Sequence, residues 1–173
     1  MINGGNAKYD GATIFLHWIT FLLVFALWVI GQTADWLPKG PGRTAYWSVH
    51  VIVGFALLTL VIYRIGWRTL AGRRLSDADA GIVGVLGSAA HYALYLLLAI
   101  VLALGVAAAF VRGFNLFGVA ALPQLGDPDL KKPITHWHEL GANILMGLVV
   151  LHAAAALVHH FAFRDGVLRR MMP

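Results

Sequence analysis

Apolar residues run along the chain in four long blocks, roughly 12–34, 45–66, 82–111 and 135–163, with few charges inside any of them. Each block exceeds the about 20 apolar residues a helix needs to cross the hydrocarbon core of a bilayer. Between them lie short breaker segments, "PKGPGR" at 38–43 and "AGRRLSDADAG" at 71–81, placed where a helical bundle needs its turns. The pattern predicts an all-α membrane protein, a four-transmembrane-helix bundle forming a single domain over residues 1–173. The first block starts too late and runs too long for a cleaved signal peptide, so it counts as a permanent span. Four crossings return both termini to one side. The third connection, 112–133, is longer than usual and partly apolar, and is expected to lie over the mouth of the bundle with a short helix of its own.

Composition agrees. Of 173 residues, 60% are hydrophobic and 12% charged, and the mean hydropathy of +0.75 excludes an ordinary soluble domain. Orientation follows from Lys and Arg counted loop by loop. Lys8, Arg64, Arg68, Arg73, Arg74, Arg164, Arg169 and Arg170 fall on one face, against Lys39, Arg43, Arg112, Lys131 and Lys132 on the other. The first face, with both termini, is expected to be cytoplasmic. Trp18 and Trp67 then mark the inner boundary, and Trp36, Trp47 and Trp137 the outer one. The net charge of +5 sits in short loops without an aromatic-basic platform, so no nucleic-acid partner is expected; membrane lipid is the partner it implies.

The chain has no cysteine, which removes disulfides, thiolate metal sites and thioether attachment of haem. A metal or cofactor would be held by histidine. There are eight: His17, His50, His91, His136, His138, His152, His159 and His160, most of them within a span or at its edge. Ionisable side chains at membrane depth are costly and usually face the bundle interior, so each is a candidate, although a lone one is more often a packed, hydrogen-bonded residue.

His138 and His152 change that balance. Fourteen residues make nearly four helical turns, so both rings leave one helix face about 21 Å apart along the axis. Each depth then needs a partner from another helix. His50 is level with His138 near the outer boundary; His17 lies on the side of His152, and His91 is a rival for that level. Paired imidazoles from facing helices suit haem bound without covalent links. Zinc would want its ligands gathered in one place. Gly54 after His50 and Gly141 after His138 would open space for a flat cofactor, or simply let helices pack closely.

The segments "IFLHW" around His17, "SVHVIVG" around His50, "HYALYLLL" from His91 and "HELGANILMGLVVLHAAAALVHH" running into "RDGVLRRMMP" resemble the bacterial dihaem cytochrome b561 family, and within it the superoxide oxidases. The likeness covers nearly the whole chain; "MINGGNAKYDG" and the long third loop carry little of it. It implies two haem b groups, the inner held by His17 and His152 and the outer by His50 and His138, with electrons exchanged with ubiquinone across the bacterial inner membrane. In superoxide oxidases, superoxide gives its electron on the periplasmic side and ubiquinone becomes ubiquinol. His159 matches a histidine close to a quinone in the family. It follows His152 by two turns on roughly the same face. His91 and His160 are lesser quinone candidates, with structural roles as the alternative.

Superoxide is an anion, so Lys39, Arg43, Arg112, Lys131 and Lys132 are candidates to raise its encounter rate or to pair with haem propionates. Asp35, Asp127, Asp129 and Glu139 reduce the outer face to +1, so only a local arrangement would steer. Arg164, Arg169 and Arg170 read as orientation signals and lipid head-group contacts. His136 reads as a surface residue. The competing function is an electron-carrier subunit joining a dehydrogenase or hydrogenase to the quinone pool, docked through 112–133; for the oxidase a protein partner is not required. A histidine-lined transporter is a third reading, with less support because the imidazoles divide into two levels.

Overall fold

A computed structural model describes residues 8–73, 75 and 81–172. Arg74, counted above among the inner-face charges, lies outside the described residues. Among the described residues four helices are long and apolar enough to cross a membrane: α1 (Gly11–Thr33), α2 (Pro41–Leu70), α3 (Gly81–Arg112) and α4 (Lys131–Val158). Large apolar side chains such as Phe15, Leu22, Tyr92, Leu96, Val150 and Leu151 point outward from the bundle. A surface of that kind is stable against lipid and not against water.

Local chemistry sets the helix ends. Asp10 caps α1, its carboxylate accepting from the Thr13 N–H at 2.9 Å and the Thr13 hydroxyl at 2.7 Å. Pro41 opens α2, where its missing N–H costs nothing. Arg112 closes α3, and Gly113 takes a left-handed φ of 57° just beyond it. α4 continues into a π-helical turn, His159–Phe163, ended by Arg164 in the left-handed region at φ 56°.

The helices pack as two pairs, α1 with α2 and α3 with α4, and the seams between the pairs are sparse. The packed core is a thin apolar layer of Leu27, Leu57, Val61, Leu98, Leu102 and Leu145. Leu57 lies midway along α2 between His50 and Arg64, and Leu145 midway along α4 between His138 and His152. This layer therefore lies between the two histidine levels. Within the loop-side half, Asn143 bridges α4 to α1, its Oδ1 accepting from Trp28 Nε1 at 2.9 Å and Gln32 Nε2 at 3.1 Å.

The connection after α3 adds a strand ladder to the short helix expected there. It forms a two-residue antiparallel ladder, β1 (Asn115–Leu116) with β2 (Ala120–Ala121), and then a 3₁₀ turn at Pro128–Leu130. Phe117 at the tip has φ 53°, unusual for a bulky residue. Its N–H donates to the Ser48 hydroxyl of α2 at 2.8 Å, and Ser48, fully buried, donates to the Thr44 carbonyl at 2.8 Å. The loop is thereby pinned across the N-terminal end of α2.

The first and last described segments meet at the other end. Trp18 Nε1 donates to the Met171 carbonyl at 2.8 Å, and the Tyr9 N–H to the Arg170 carbonyl at 3.2 Å. Asp10 also accepts from Trp67 Nε1 at 3.1 Å and the Arg73 N–H at 3.0 Å. Desolvation acts to raise its pKa, but the donors from Thr13, Arg73 and Trp67 outweigh it and hold the carboxyl well below the ordinary 3.8. Stability from this node is fully present above that pH and fades as the pH falls beneath it. Asp10→Ala is expected to cost about 1–2 kcal/mol, the upper range for an N-cap. Thermal unfolding in detergent should show the deficit at neutral pH and a shrinking difference from the parent in acid.

Candidate haem sites

α4 presents His138 toward the loop end and His152 toward the terminal end, and another helix meets each ring. The His50 ring of α2 faces His138 with centres 6.1 Å apart, and the His17 ring of α1 faces His152 at 6.5 Å. Two imidazoles on one metal, with bonds of about 2 Å and about 1 Å from nitrogen to ring centre, stand about 6 Å apart. Both pairs have that separation. His91 lies closer to His152, at 5.2 Å, and its Nδ1 sits 2.8 Å from the Gly87 carbonyl one turn back on α3. Among the described residues no three His, Asp or Glu side chains gather as a metal-ion cluster. Facing pairs of imidazoles are the arrangement present.

The surroundings prepare each ring differently. His138 Nδ1 donates to the Val101 carbonyl of α3 at 2.9 Å, which fixes the tautomer with its lone pair on Nε2, the form that binds a metal. Gly105 makes room for that ring: a Cβ there would stand 2.9 Å from His138 Cε1. Gly141, expected to open space, instead admits Val101, whose methyl would lie 3.0 Å from an added Cβ. Beside Gly54, by contrast, there is open space. The Nδ1 of His50 is buried without a hydrogen bond of ordinary geometry, although the Leu27 carbonyl of α1 lies close enough to act on the ring. These features fit a flat, imidazole-ligated group in the sparse seams.

At the other level Arg64 of α2 reaches inward. Its guanidinium lies 3.2 Å from His17 Nδ1 and 5.4 Å from the centre of the Tyr95 ring. Arg64, counted from sequence as a loop charge, is thus an interior residue. A signal existed: it follows His50 by the same fourteen residues that separate His138 from His152. Guanidinium only donates, so with this contact made a neutral His17 carries its proton on Nε2. A metal held at Nε2 would put that proton on Nδ1, and Arg64 would then have to give up this contact.

The remaining candidates divide. Lys39 and Arg43 line one depression at the loop end with Gly40, Thr44, Trp47, Phe114 and Asn115, and Trp47 makes an edge contact with His50 at 5.4 Å between ring centres. Asp35 pairs with Arg43. Arg112 is turned aside to the Thr135 hydroxyl at 2.7 Å, and Lys131 and Lys132 open α4 away from the depression. His136 is exposed, as expected. Beyond His152, His159 opens the π turn, pairs with the Asp165 carboxylate and stands edge-on to Phe163 at 5.2 Å. Desolvation acts to raise the Asp165 carboxyl, and hydrogen bonds from His159 and the Val167 N–H override it, leaving it below the ordinary carboxylate value. Nothing in the spacing pointed to Asp165 beyond the turn-forming "RDG" around it. His160 lines a separate depression with Arg164, Gly166 and Arg169.

With this geometry in view, the sequence profile described as prokaryotic cytochrome b561 matches residues 8–173. The chain belongs to that family. Among curated proteins it is 30% identical over 173 residues to a probable superoxide oxidase CybB of Yersinia pestis, covering 97% of each chain. It is 29% identical to cytochrome b561 homolog 1 of Escherichia coli, over 96% of this chain and 97% of that one. It is 31% identical to a cytochrome b562 of Cereibacter sphaeroides, over 95% and 94%. The resemblance read from the fourth-span motif is therefore correct. This cytochrome b561 is a multi-pass haem b electron carrier of a bacterial membrane. Gly105→Ala, by driving a methyl into His138, is expected to lower the haem b bound per chain without abolishing it. Haem extraction and absorbance of the purified variant measure this.

Proposed function

We propose that this cytochrome is a superoxide:ubiquinone oxidoreductase of the bacterial inner membrane, with a single domain, both termini cytoplasmic and two b haems. The observation that carries the reading is the pair of facing imidazole sets at two depths, each in line with a feature on its own side of the bundle. His50 and His138 hold the outer haem, His17 and His152 the inner one. Bound there, haem iron supplies reversible one-electron chemistry. Two superoxide ions each lose one electron and leave as O2, and ubiquinone takes those two electrons with two protons to become ubiquinol.

The chain's own residues do the rest. Lys39 and Arg43 attract the anion to a depression beside Trp47, which touches His50. The apolar layer of Leu27, Leu57, Val61, Leu98, Leu102 and Leu145 keeps water and protons from crossing between the two levels. His159 lies beyond His152 at the terminal end, where ubiquinone docks. The relative named as a probable superoxide oxidase, matched over nearly its whole length, supports this choice of donor. His91, beside His152, lines the quinone side of the inner site.

Mixing the purified, oxidised protein with a superoxide source and ubiquinone tests the reading. Rapid haem reduction with ubiquinol accumulating, abolished by superoxide dismutase and insensitive to catalase, is expected. Intact haems that ignore superoxide would point instead to a dehydrogenase or hydrogenase partner as donor. Lys39→Glu should slow the superoxide step several-fold at low ionic strength, with the difference shrinking as salt screens the site. Replacing His50 or His138 by Ala should remove the outer haem alone, and replacing His17 or His152 the inner alone. Optical spectra and redox titration count them; loss of the inner haem in His91→Ala with retention in His17→Ala would reassign the inner pair.

A further inference from the structure

Past Val158 the chain leaves α-helical geometry at one point, and a carboxylate returns there onto a histidine. The π turn His159–Phe163 ends at Arg164, whose left-handed φ reverses the backbone. The Arg164 N–H and, at 3.4 Å, the Asp165 N–H both donate to the His159 carbonyl. This reversal folds Asp165 back, and both its oxygens are engaged: Oδ2 with His159 Nδ1, and Oδ1 with the Val167 N–H at 3.0 Å. Neither side chain is a free surface group, at 16% and 24% exposure. π turns recur at functional sites because they re-aim side chains that a regular helix would hold elsewhere. In this turn, the side chain re-aimed is an imidazole two turns below His152.

We propose that Asp165 is a positioning residue that makes His159 the proton donor to the bound quinone. The inference rests on the reading of ubiquinone as acceptor. Asp165 accepts the Nδ1–H and stabilises the imidazolium, leaving Nε2–H to be given to a quinone oxygen as it is reduced. Each transfer moves one proton from Nε2 to the quinone oxygen and leaves neutral His159 with its proton on Nδ1. Water on the terminal side restores the proton at Nε2 before the next transfer, so two electrons and two protons make one ubiquinol. The other charged and titratable groups at this end include His160 on the same turn, Arg164 just after it, Arg169 and Arg170 in the 3₁₀ segment Leu168–Met171, Tyr9, whose N–H meets the Arg170 carbonyl and whose ring lies under Arg68, and Lys8, Asp10 and Arg73 beside it. Among these groups, Asp165 is the carboxylate that pairs with His159.

The test is to reduce the haem-loaded protein with dithionite, remove the excess and follow haem re-oxidation by a short-chain ubiquinone across pH. Asp165→Asn keeps the size of the side chain but lacks the charge. It should leave the haem spectrum unchanged, slow re-oxidation by about tenfold or more at neutral pH, and move the limb where the rate falls with rising pH to lower pH. Asp165→Glu should recover most of the rate, and His159→Gln should be slow with no such limb. Re-oxidation of Asp165→Asn at the parental rate with the parental pH profile would overturn the inference, as would Glu and Asn variants impaired alike. Failure of the parent protein to reduce ubiquinone at all would remove the functional reading and this inference together. A quinone-competent parent with an indifferent Asp165 would remove the inference alone.

Discussion

An α-helix that must hold side chains for one purpose at two depths of a membrane is constrained by its own pitch. Fourteen residues make nearly four turns and about 21 Å of rise, so a pair at that interval shares a face while reaching opposite halves of the hydrocarbon core. α4 uses the interval for His138 and His152, and α2 uses it for His50 and Arg64. The rest of the bundle answers to that arrangement. α1 brings His17 to the level where α2 offers a guanidinium in place of an imidazole, and the apolar layer fills the middle of the interval on both helices.

The two ends of the molecule are built with opposite emphasis. At the loop end, the chain between α3 and α4 is held down by its backbone, through Phe117 on a fully buried Ser48, so a segment with little hydrophobic pattern still has a defined seat. At the terminal end, Asp10 collects donors from α1, from Trp67 of α2 and from the chain beyond α2, while Trp18 and Tyr9 bind carbonyls near the C-terminus. Each end is closed by polar contacts that lipid cannot supply. The sparse seams between helix pairs can therefore stay open enough for a cofactor without the helices drifting apart.

Family membership and geometry bear on different parts of the function. Membership establishes a haem b electron carrier in a bacterial membrane. The geometry adds a local meaning to charges that net counting dismissed. Of five basic residues on the loop face, Lys39 and Arg43 share a depression beside the His50 level, whereas Arg112 is spent on Thr135. On the opposite face, His159 and Asp165 form a half-buried pair among arginines.

By itself the sequence determined the four spans, the absence of any thiol ligand and the two-level placement of imidazoles on α4, because hydropathy and helical pitch act locally and leave a periodic trace. It also suggested His50 and His17 as partners, since depth in a membrane can be counted in residues from a span's end. What only the tertiary structure decided is which groups from separate helices meet. Arg64 looks in sequence like one more positive charge near a boundary, and only its inward rotation against His17 and Tyr95 makes it part of the site. Gly105 and Val101 matter because α3 presses on His138, a contact across many residues that no local pattern encodes. Asp165 reaches His159 through a π turn and a left-handed residue, backbone states that hydrophobic periodicity does not record. Asp10, in a segment with no hydrophobic signal, gains its importance only from where Trp67 and Arg73 are brought to it.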